Sequence, residues 1–180
     1  TQVFESDLNG AIQTAELPGA RWSVTMTFTN RTGRDARALQ GFLAALRGRA
    51  GRFYVTPADW SPLGTAGGSP AVSVNQTQGA TTINTDGWTA GQAEALLPGD
   101  YFELNGELKK VTGTVTTDGA GNATVEFAPP LRKDVTDGMT LRLTEPRATM
   151  ALSDDQQATW NIGAPTIYAV TINGTEPLDI

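Results

Sequence analysis

Apolar and polar residues alternate most clearly near the start of the chain. Trp22, Val24, Met26 and Phe28 are separated by Ser or Thr. This period of two predicts a β-strand with one buried face. A second strand is predicted over residues 52–55, RFYV, which are rich in aromatic and β-branched side chains.

Between these strands the apolar residues recur at helical spacing. Thr32 stands three residues before Asp35, a capping-box arrangement with Asp in place of Glu. The predicted buried stripe consists of Leu39, Phe42, Leu43 and Leu46. Gly48 is expected as the C-cap. We therefore predict one α-helix over residues 33–47.

A run rich in Gly, Ser and Pro, residues 61–69, predicts a domain boundary or hinge. Short strands are predicted beyond it at residues 81–84, 100–104, 108–116, 122–128 and 139–143. Turn chemistry separates them, because Asn105-Gly106 is a strong two-residue hairpin signal and residues 118–122 tolerate positive φ. Several short strands at this spacing indicate a small β-barrel or sandwich.

The pattern changes again after Glu145-Pro146. Residues 167–172 are apolar at both alternating sets of positions, which predicts a strand in the middle of a sheet. Because this last strand can rejoin the N-terminal sheet, we predict one β domain from residues 1–60 and 146–180. Residues 61–145 are then an inserted β-rich domain. The predicted fold class is mainly β with one α-helix.

Composition narrows the function classes. The 180 residues include no His and no Cys, which removes Ser-His and Cys-His nucleophile pairs, thiolate zinc sites and disulfides. A net charge of −6 argues against a protein that mainly grips phosphate backbones, but leaves open a channel that DNA passes through. No run approaches roughly 20 apolar residues, and the start of the sequence does not resemble a signal peptide. We expect a soluble protein.

The acidic residues offer the nearest approach to catalytic chemistry. The carboxylates closest together in sequence are Glu94, Asp100, Glu103 and Glu107. Asp100 follows a turn and is expected to bond backbone groups, while Glu103 and Glu107 fit solvated strand positions. Residues 118–122 lack the spaced carboxylates of a calcium loop. We predict no catalytic residue, no cofactor site and no metal site, and hence no enzyme.

Arginines cluster around the predicted helix. The members of this cluster are Arg31, Arg34, Arg37, Arg47, Arg49 and Arg52. Two interpretations stay open: a solvated helix face that complements the helix dipole, or a surface for an acidic partner. Charge asymmetry in an acidic chain suits a head-to-tail contact that can close into a ring. These arginines are therefore candidate subunit-interface residues.

Two tryptophans near or within the predicted insertion are candidate ligand or interface aromatics. Trp60 precedes the Gly-rich run, and Trp88 follows the strand predicted at residues 81–84. Core or domain-interface roles are favoured for both over stacking on a ligand.

The order of turns and strands resembles the distal tail proteins of siphophages, and in particular tail-tip proteins of Mu-like phages with long flexible tails. The residues that carry this resemblance are 17–22 (LPGARW), the alternating strand that follows, 42–48 (FLAALRG), 52–54 (RFY), 97–106 (LPGDYFELNG), 118–124 (DGAGNAT) and 129–132 (PPLR). It covers most of the chain, and its motifs are structural turns and strands.

The resemblance implies a tail-tube-like β-sandwich or barrel domain with an inserted small β-barrel, assembled as a hexameric ring in the phage tail tip. Implied partners are further copies of the chain, the tail tube protein and the baseplate hub protein, with the tape-measure protein as a further candidate. It implies assembly in the host cytoplasm, no membrane and no specific nucleic-acid binding, and the family offers no catalytic residues to carry over. Six copies at −6 each predict an acidic lumen that lets DNA slide.

Two other functions stay open. One is a tail tube protein that stacks into a filament. The other is a carbohydrate-binding module at the tail tip, in which Trp60 or Trp88 faces a sugar.

Overall fold

The computed structural model describes the backbone of residues 2–5, 12–15, 19–155, 161–163 and 167–177, and the side chains of residues 19–155 and 169–177. Strands hold 39% of the residues and helices 12%, so the predicted fold class, mainly β with one α-helix, is confirmed. No helix in the described ranges has the length and apolar character needed to cross a membrane.

Twelve strands are described. The first six and the helix among them are β1 (Gln2–Glu5), β2 (Ile12–Ala15), β3 (Ser23–Arg31), α1 (Gly33–Leu46), β4 (Phe53–Val55), β5 (Gly68–Val72) and β6 (Thr82–Trp88), with a short 3-10 helix at Gly48–Ala50. The others are β7 (Tyr101–Leu104), β8 (Glu107–Val111), β9 (Ala123–Ala128), β10 (Ala148–Leu152), β11 (Asn161–Gly163) and β12 (Ile167–Thr175).

The strands form two five-stranded sheets and one separate hairpin. In the first sheet the order is β11-β12-β10-β4, and β3 pairs with β12. In the second sheet the order is β5-β6-β9-β8-β7. Both sheets curl into half-barrels. The hairpin joins β1 to β2.

Helix α1 covers the apolar face of the first sheet. Leu43 and Leu46 are buried as predicted, whereas Phe42 is 41% exposed. The prediction for Phe42 was wrong because it lies at the margin of the buried helix face. There its ring meets Phe53 edge-on, with centroids 6.0 Å apart. Ala36 of α1 is only 1% exposed, and the sequence analysis did not predict its burial.

The predicted N-cap residue is confirmed, but its hydrogen bond and the C-cap residue differ from the prediction. Thr32 is the N-cap, but the backbone N–H of Asp35 donates to its carbonyl oxygen at 3.2 Å rather than to its hydroxyl. Arg47, not Gly48, is the C-cap, with φ 51, and its N–H donates to Ala44. Gly48 is also left-handed, and a Cβ there would meet Asp155 Oδ1 at 2.5 Å. Glycine is therefore favoured at position 48, one residue after the observed C-cap.

The second sheet confirms the predicted hairpin at Asn105-Gly106, whose φ values are 52 and 77 and which joins β7 to β8. Sequence reasoning missed β5, because Gly68 and Pro70 suggested a loop. Proline is tolerated there since β5 is an edge strand. The strand predicted at residues 139–143 was wrong, as this segment makes only single bridges, to Ala71 of β5 and Glu103 of β7.

Two hydrophobic clusters form, one on each sheet. They are not fully separate, because Leu108 of β8 is a member of the first-sheet cluster and Tyr101 of β7 packs against it. The division into a domain of residues 1–60 and 146–180 with residues 61–145 inserted stays a prediction.

Candidate subunit-interface site

All six arginines of the cluster are exposed. Arg34 and Arg37 lie on α1, and Arg47 and Arg49 follow its end. Among the described residues, no carboxylate lies within ion-pair distance of Arg34, Arg37 or Arg47. Their charges therefore face solvent or a partner, and the interface role stays a prediction.

Arg52 and Arg31 have additional local contacts. The Nη1 of Arg52 donates to the carbonyl oxygens of Arg49, Ala50 and Gly51 at 2.9, 3.2 and 3.1 Å, so it caps the 3-10 helix. The guanidinium of Arg31 lies 5.7 Å from the centroid of the Phe28 ring. Because Asn30 has φ 54, the alternation of β3 breaks just before Arg31.

One edge of the long strand β3, called the open edge below, is covered by no strand that the structure describes. Seven of its nine residues, Ser23 to Phe28 and Arg31, pair with β12 on one side, and no described strand pairs with the other. Natural proteins usually block such edges with Lys, Pro or a covering element. Residues 23–29 contain neither Lys nor Pro. This edge can therefore pair with another chain.

An exposed aromatic residue lies at the opposite margin of the same sheet. Tyr54 of β4 is 63% exposed, and the guanidinium of Arg147 lies 4.3 Å from its ring centroid. Arg147 is oriented by Glu103, whose Oε2 accepts from the backbone N of Arg147 at 3.1 Å and from Nε at 3.4 Å. Tyr and Arg are the residue types that most often dominate binding at interfaces.

The two candidate tryptophans differ in how deeply they are buried. Trp88 is 5% exposed in the second core, and its Nε1 donates to Thr85 Oγ1 at 2.8 Å. A ligand role for Trp88 was therefore wrong, since no face of the ring is open for stacking. Trp60 is half-buried, and its backbone N donates to Pro57 at 3.1 Å. The role of Trp60 stays a prediction.

Asp100 takes the turn role expected for it. It is 4% exposed, and its carboxylate accepts from the backbone N of Leu63 at 2.8 Å, Gly64 at 3.0 Å and Leu97 at 2.8 Å. Because two of these donors belong to residues 61–69, this carboxylate fastens the predicted hinge to the second sheet. Its charge is thereby committed to backbone groups.

Glu107 was expected at a solvated position, and this was wrong. It is 2% exposed beside the fully buried Lys109, with 2.6 Å between Oε2 and Nζ. The Nζ of Lys109 also donates to the Pro130 carbonyl oxygen at 2.8 Å. Burial lowers the pKa of Lys109, and the hydrogen bond and charge of Glu107 oppose this shift. No sequence signal marks this pair, because alternating charged residues in a strand usually face solvent.

The buried charges continue across to the first sheet. Arg132 lies between Glu107 and Glu176: its backbone N donates to Glu107 Oε2 at 3.1 Å, and its Nη1 donates to Glu176 Oε2. The same Glu176 oxygen accepts from the backbone N of Trp22 at 3.0 Å. The indole Nε1 of Trp22 in turn donates to Leu108 at 2.9 Å. We call Glu107, Lys109, Arg132 and Glu176 the charged clasp.

In the loop at residues 118–122, the carboxylate of Asp118 accepts hydrogen bonds from other residues of the same loop. Asp118 Oδ1 accepts from the backbone N of Ala120 and of Asn122, both at 2.8 Å, and Oδ2 accepts from Asn122 Nδ2 at 2.9 Å. These hydrogen bonds, with that of the Asn122 backbone foremost, lower the pKa of Asp118. Among the described residues, no group of three or more His, Cys, Asp or Glu is placed to hold a metal ion.

The exposed surface thus combines three features suited to contacts between subunits: the arginines of α1, the open edge of β3 and the Tyr54–Arg147 pair. The sequence matches no protein-family model and no curated protein.

Proposed function

We propose that this protein is a structural component of a phage tail tip. It forms a hexameric ring that joins the tail tube to the baseplate hub and leaves a channel for DNA. The proposal rests on the resemblance of the turns and strands to distal tail proteins. The mainly β fold with a single helix is compatible with it.

The observation that carries the proposal is the open edge of β3. A nine-residue strand whose outer edge pairs with none of the described strands, and which has no Lys or Pro over residues 23–29, pairs readily with another strand. In a ring, each copy covers the edge of the next. The same exposure in a monomer would favour disordered aggregation.

Charge asymmetry supports the same arrangement. The chain carries −6 overall, yet α1 and its C-cap expose Arg34, Arg37 and Arg47. A basic surface on one copy and an acidic surface on the next attract each other, and this contact joins two different surfaces. Such contacts close into a ring when the rotation between copies permits.

The native mass tests the proposal. Light scattering after gel filtration, over a concentration series, is expected to give a hexamer of the 19.0 kDa chain. Open-ended filaments would favour the tube protein instead. A monomer at every concentration contradicts a self-assembling ring.

Two charge-reversal variants test whether the arginines of α1 form the contact between subunits. Arg37→Glu is expected to raise the concentration at which the ring dissociates by about tenfold or more, because it places a carboxylate against an acidic neighbour. Lys133→Glu makes the same change of charge at an exposed residue beyond the second sheet, and is expected to leave that concentration unchanged. If both variants raise the dissociation concentration equally, the change in net charge explains the effect and the arginine surface is not the contact.

The carbohydrate-binding alternative has lost one of its two aromatics, since Trp88 is buried. It now depends on Trp60. Glycan-array binding by the whole chain that disappears in Trp60→Ala would favour it over the ring.

A further inference from the structure

Two arginines share one carboxylate where the two sheets meet. Glu103 lies on β7, and its Oε2 is 3.7 Å from Nε of Arg142 and 3.4 Å from Nε of Arg147, which precedes β10. The side chain of Glu103 is 14% exposed, whereas those of Arg142 and Arg147 are 41% and 33% exposed. With two cations to one carboxylate, the group carries one net positive charge, and the cations form its exposed part.

Both guanidinium groups are held by their Nε atoms. The Nε of Arg142 donates to the Thr144 carbonyl oxygen at 3.0 Å, and the Nε of Arg147 donates to Glu103 at 3.4 Å. Within the described part of the chain, the Nη atoms of these two arginines donate to no other residue. A guanidinium fixed at Nε with both Nη atoms free presents two parallel donors, which is the arrangement that binds a carboxylate bidentately. The two arginines therefore have donors for a further carboxylate besides Glu103.

The ring of Tyr54 forms a wall beside Arg147. The guanidinium carbon of Arg147 lies 4.3 Å from the ring centroid, and Tyr54 is 63% exposed. Stacking on the ring restricts the long side chain of Arg147, so less conformational entropy is lost when a ligand binds. We call Tyr54, Glu103, Arg142 and Arg147 the double-arginine site.

The exposed charges of residues 61–145 are mostly negative. The exposed carboxylates there belong to Asp86, Glu94, Asp118, Glu126, Asp134, Asp137 and Glu145, whereas the exposed cations are Lys133 and Arg142. A polyanion such as nucleic acid would be repelled along this surface. A single carboxylate is repelled less, because charges more than about 8 Å away are largely screened at physiological salt. The same excess means that every copy of the chain offers exposed carboxylates to another copy.

We propose that the double-arginine site binds an Asp or Glu carboxylate from residues 61–145 of a neighbouring copy. This inference rests on the proposed function and adds to the ring a contact distinct from the arginines of α1. The bidentate pair forms between the Nη atoms and the incoming carboxylate. Glu103 is a positioning residue, because it acts through the arginines. Tyr54 covers one side of the pair and keeps water from it.

Two variants that each remove one positive charge test the contact. Arg147→Gln is expected to raise the concentration at which the ring dissociates by about tenfold or more, because the neighbour's carboxylate loses its partner. Lys133→Gln removes a charge at an exposed residue outside the site and is expected to leave that concentration unchanged. Light scattering over a concentration series measures both. Urea denaturation below the assembly concentration shows whether either variant alters the fold of the single chain.

A zero-length cross-link identifies the partner without depending on the stability of a charge-removal variant. In Arg147→Lys the new amine lies where the guanidinium was, and a carbodiimide joins it to a neighbouring carboxylate as an amide. The oxygen lost from the carboxylate leaves in the urea formed from the reagent. Rings assembled from equal amounts of unlabelled and isotope-labelled chains give mixed-label peptides only for links between copies. A link to Glu103 within one chain carries a single label.

The expected product is a mixed-label link from position 147 to an acidic residue of 61–145, formed only above the assembly concentration. The inference is overturned if the ring gives only single-label links, if the partner lies outside 61–145, or if Arg147→Gln and Lys133→Gln dissociate at the same concentration. In each of these cases the ring itself stands, because the mass of each sample shows whether it has formed. A chain that stays monomeric at every concentration contradicts both the ring and this contact.

Discussion

Arg132 and Glu176 join the two sheets through a partly buried hydrogen bond from Nη1 to Oε2. Arg132 follows the last strand of the second-sheet meander, and Glu176 follows β12 of the first sheet. Glu176 is fully buried, and its second oxygen, Oε1, has no hydrogen-bond partner among the residues that the structure describes. Replacing one charged residue of the charged clasp by an uncharged one would therefore leave the charge of its partner buried without a counter-ion.

Lys109→Met is expected to lower the free energy of unfolding by roughly 3 kcal/mol. The substitution preserves length and apolar volume but leaves Glu107 buried without its main counter-ion. Urea denaturation measures the loss. Lys133→Met, at an exposed residue, serves as the control and is expected to cost less than about 0.5 kcal/mol. Equal small losses in both variants would show that the clasp adds little to stability.

The contribution of Lys109 is expected to depend on pH. Burial lowers the pKa of Lys109 below its ordinary value of 10.5. Between the lowered value and 10.5 the unfolded chain binds more protons than the folded chain, so stability rises with pH in that window. The contribution is smallest below the folded pKa.

Denaturation of the wild type and Lys109→Met from pH 7 to pH 10 checks this sign. Other titrating groups affect both proteins and cancel in the difference. The difference in stability is expected to widen in favour of the wild type as pH rises. A gap that narrows would mean that Glu107 outweighs burial.

Asp100→Ala is expected to cost about 2–4 kcal/mol, because the backbone N–H groups of Leu63, Gly64 and Leu97 lose one shared acceptor. Thermal denaturation gives the loss. Limited proteolysis is expected to cut within residues 61–69 of this variant sooner than in the wild type. Asp86→Ala, at an exposed strand residue, is the control. Unchanged cleavage would contradict the fastening of this segment by Asp100.

Gly106→Ala is expected to destabilise the fold by about 1–2 kcal/mol, because Gly106 has φ 77 in the β7–β8 hairpin. Space is not the cause, since the nearest atom to an added Cβ would be 3.9 Å away. Gly119→Ala is the matched control: it has open space and no positive φ, and is expected to be neutral or slightly stabilising. Chemical denaturation of the pair separates backbone strain from packing.

Local patterns were sufficient for the elements that depend on neighbours in sequence. The period of two over residues 22–28 predicted β3, helical spacing predicted α1, and Asn105-Gly106 predicted a hairpin, because each conformation follows from side chains a few residues apart. Asp100 was assigned correctly as a turn residue for the same reason. Its bonds to Leu63 and Gly64, across more than thirty residues, were not foreseen.

The sequence by itself determined the fold class, the absence of His and Cys, and the position of the arginines. Only the tertiary structure decided that Phe42 is exposed and that Trp88 and Glu107 are buried. Thr27 of β3 and Thr171 of β12, which lie opposite each other, are 144 residues apart in the sequence. Burial and surface chemistry depend on which strands pair and which face a helix covers. Such long-range choices leave no trace in a local pattern.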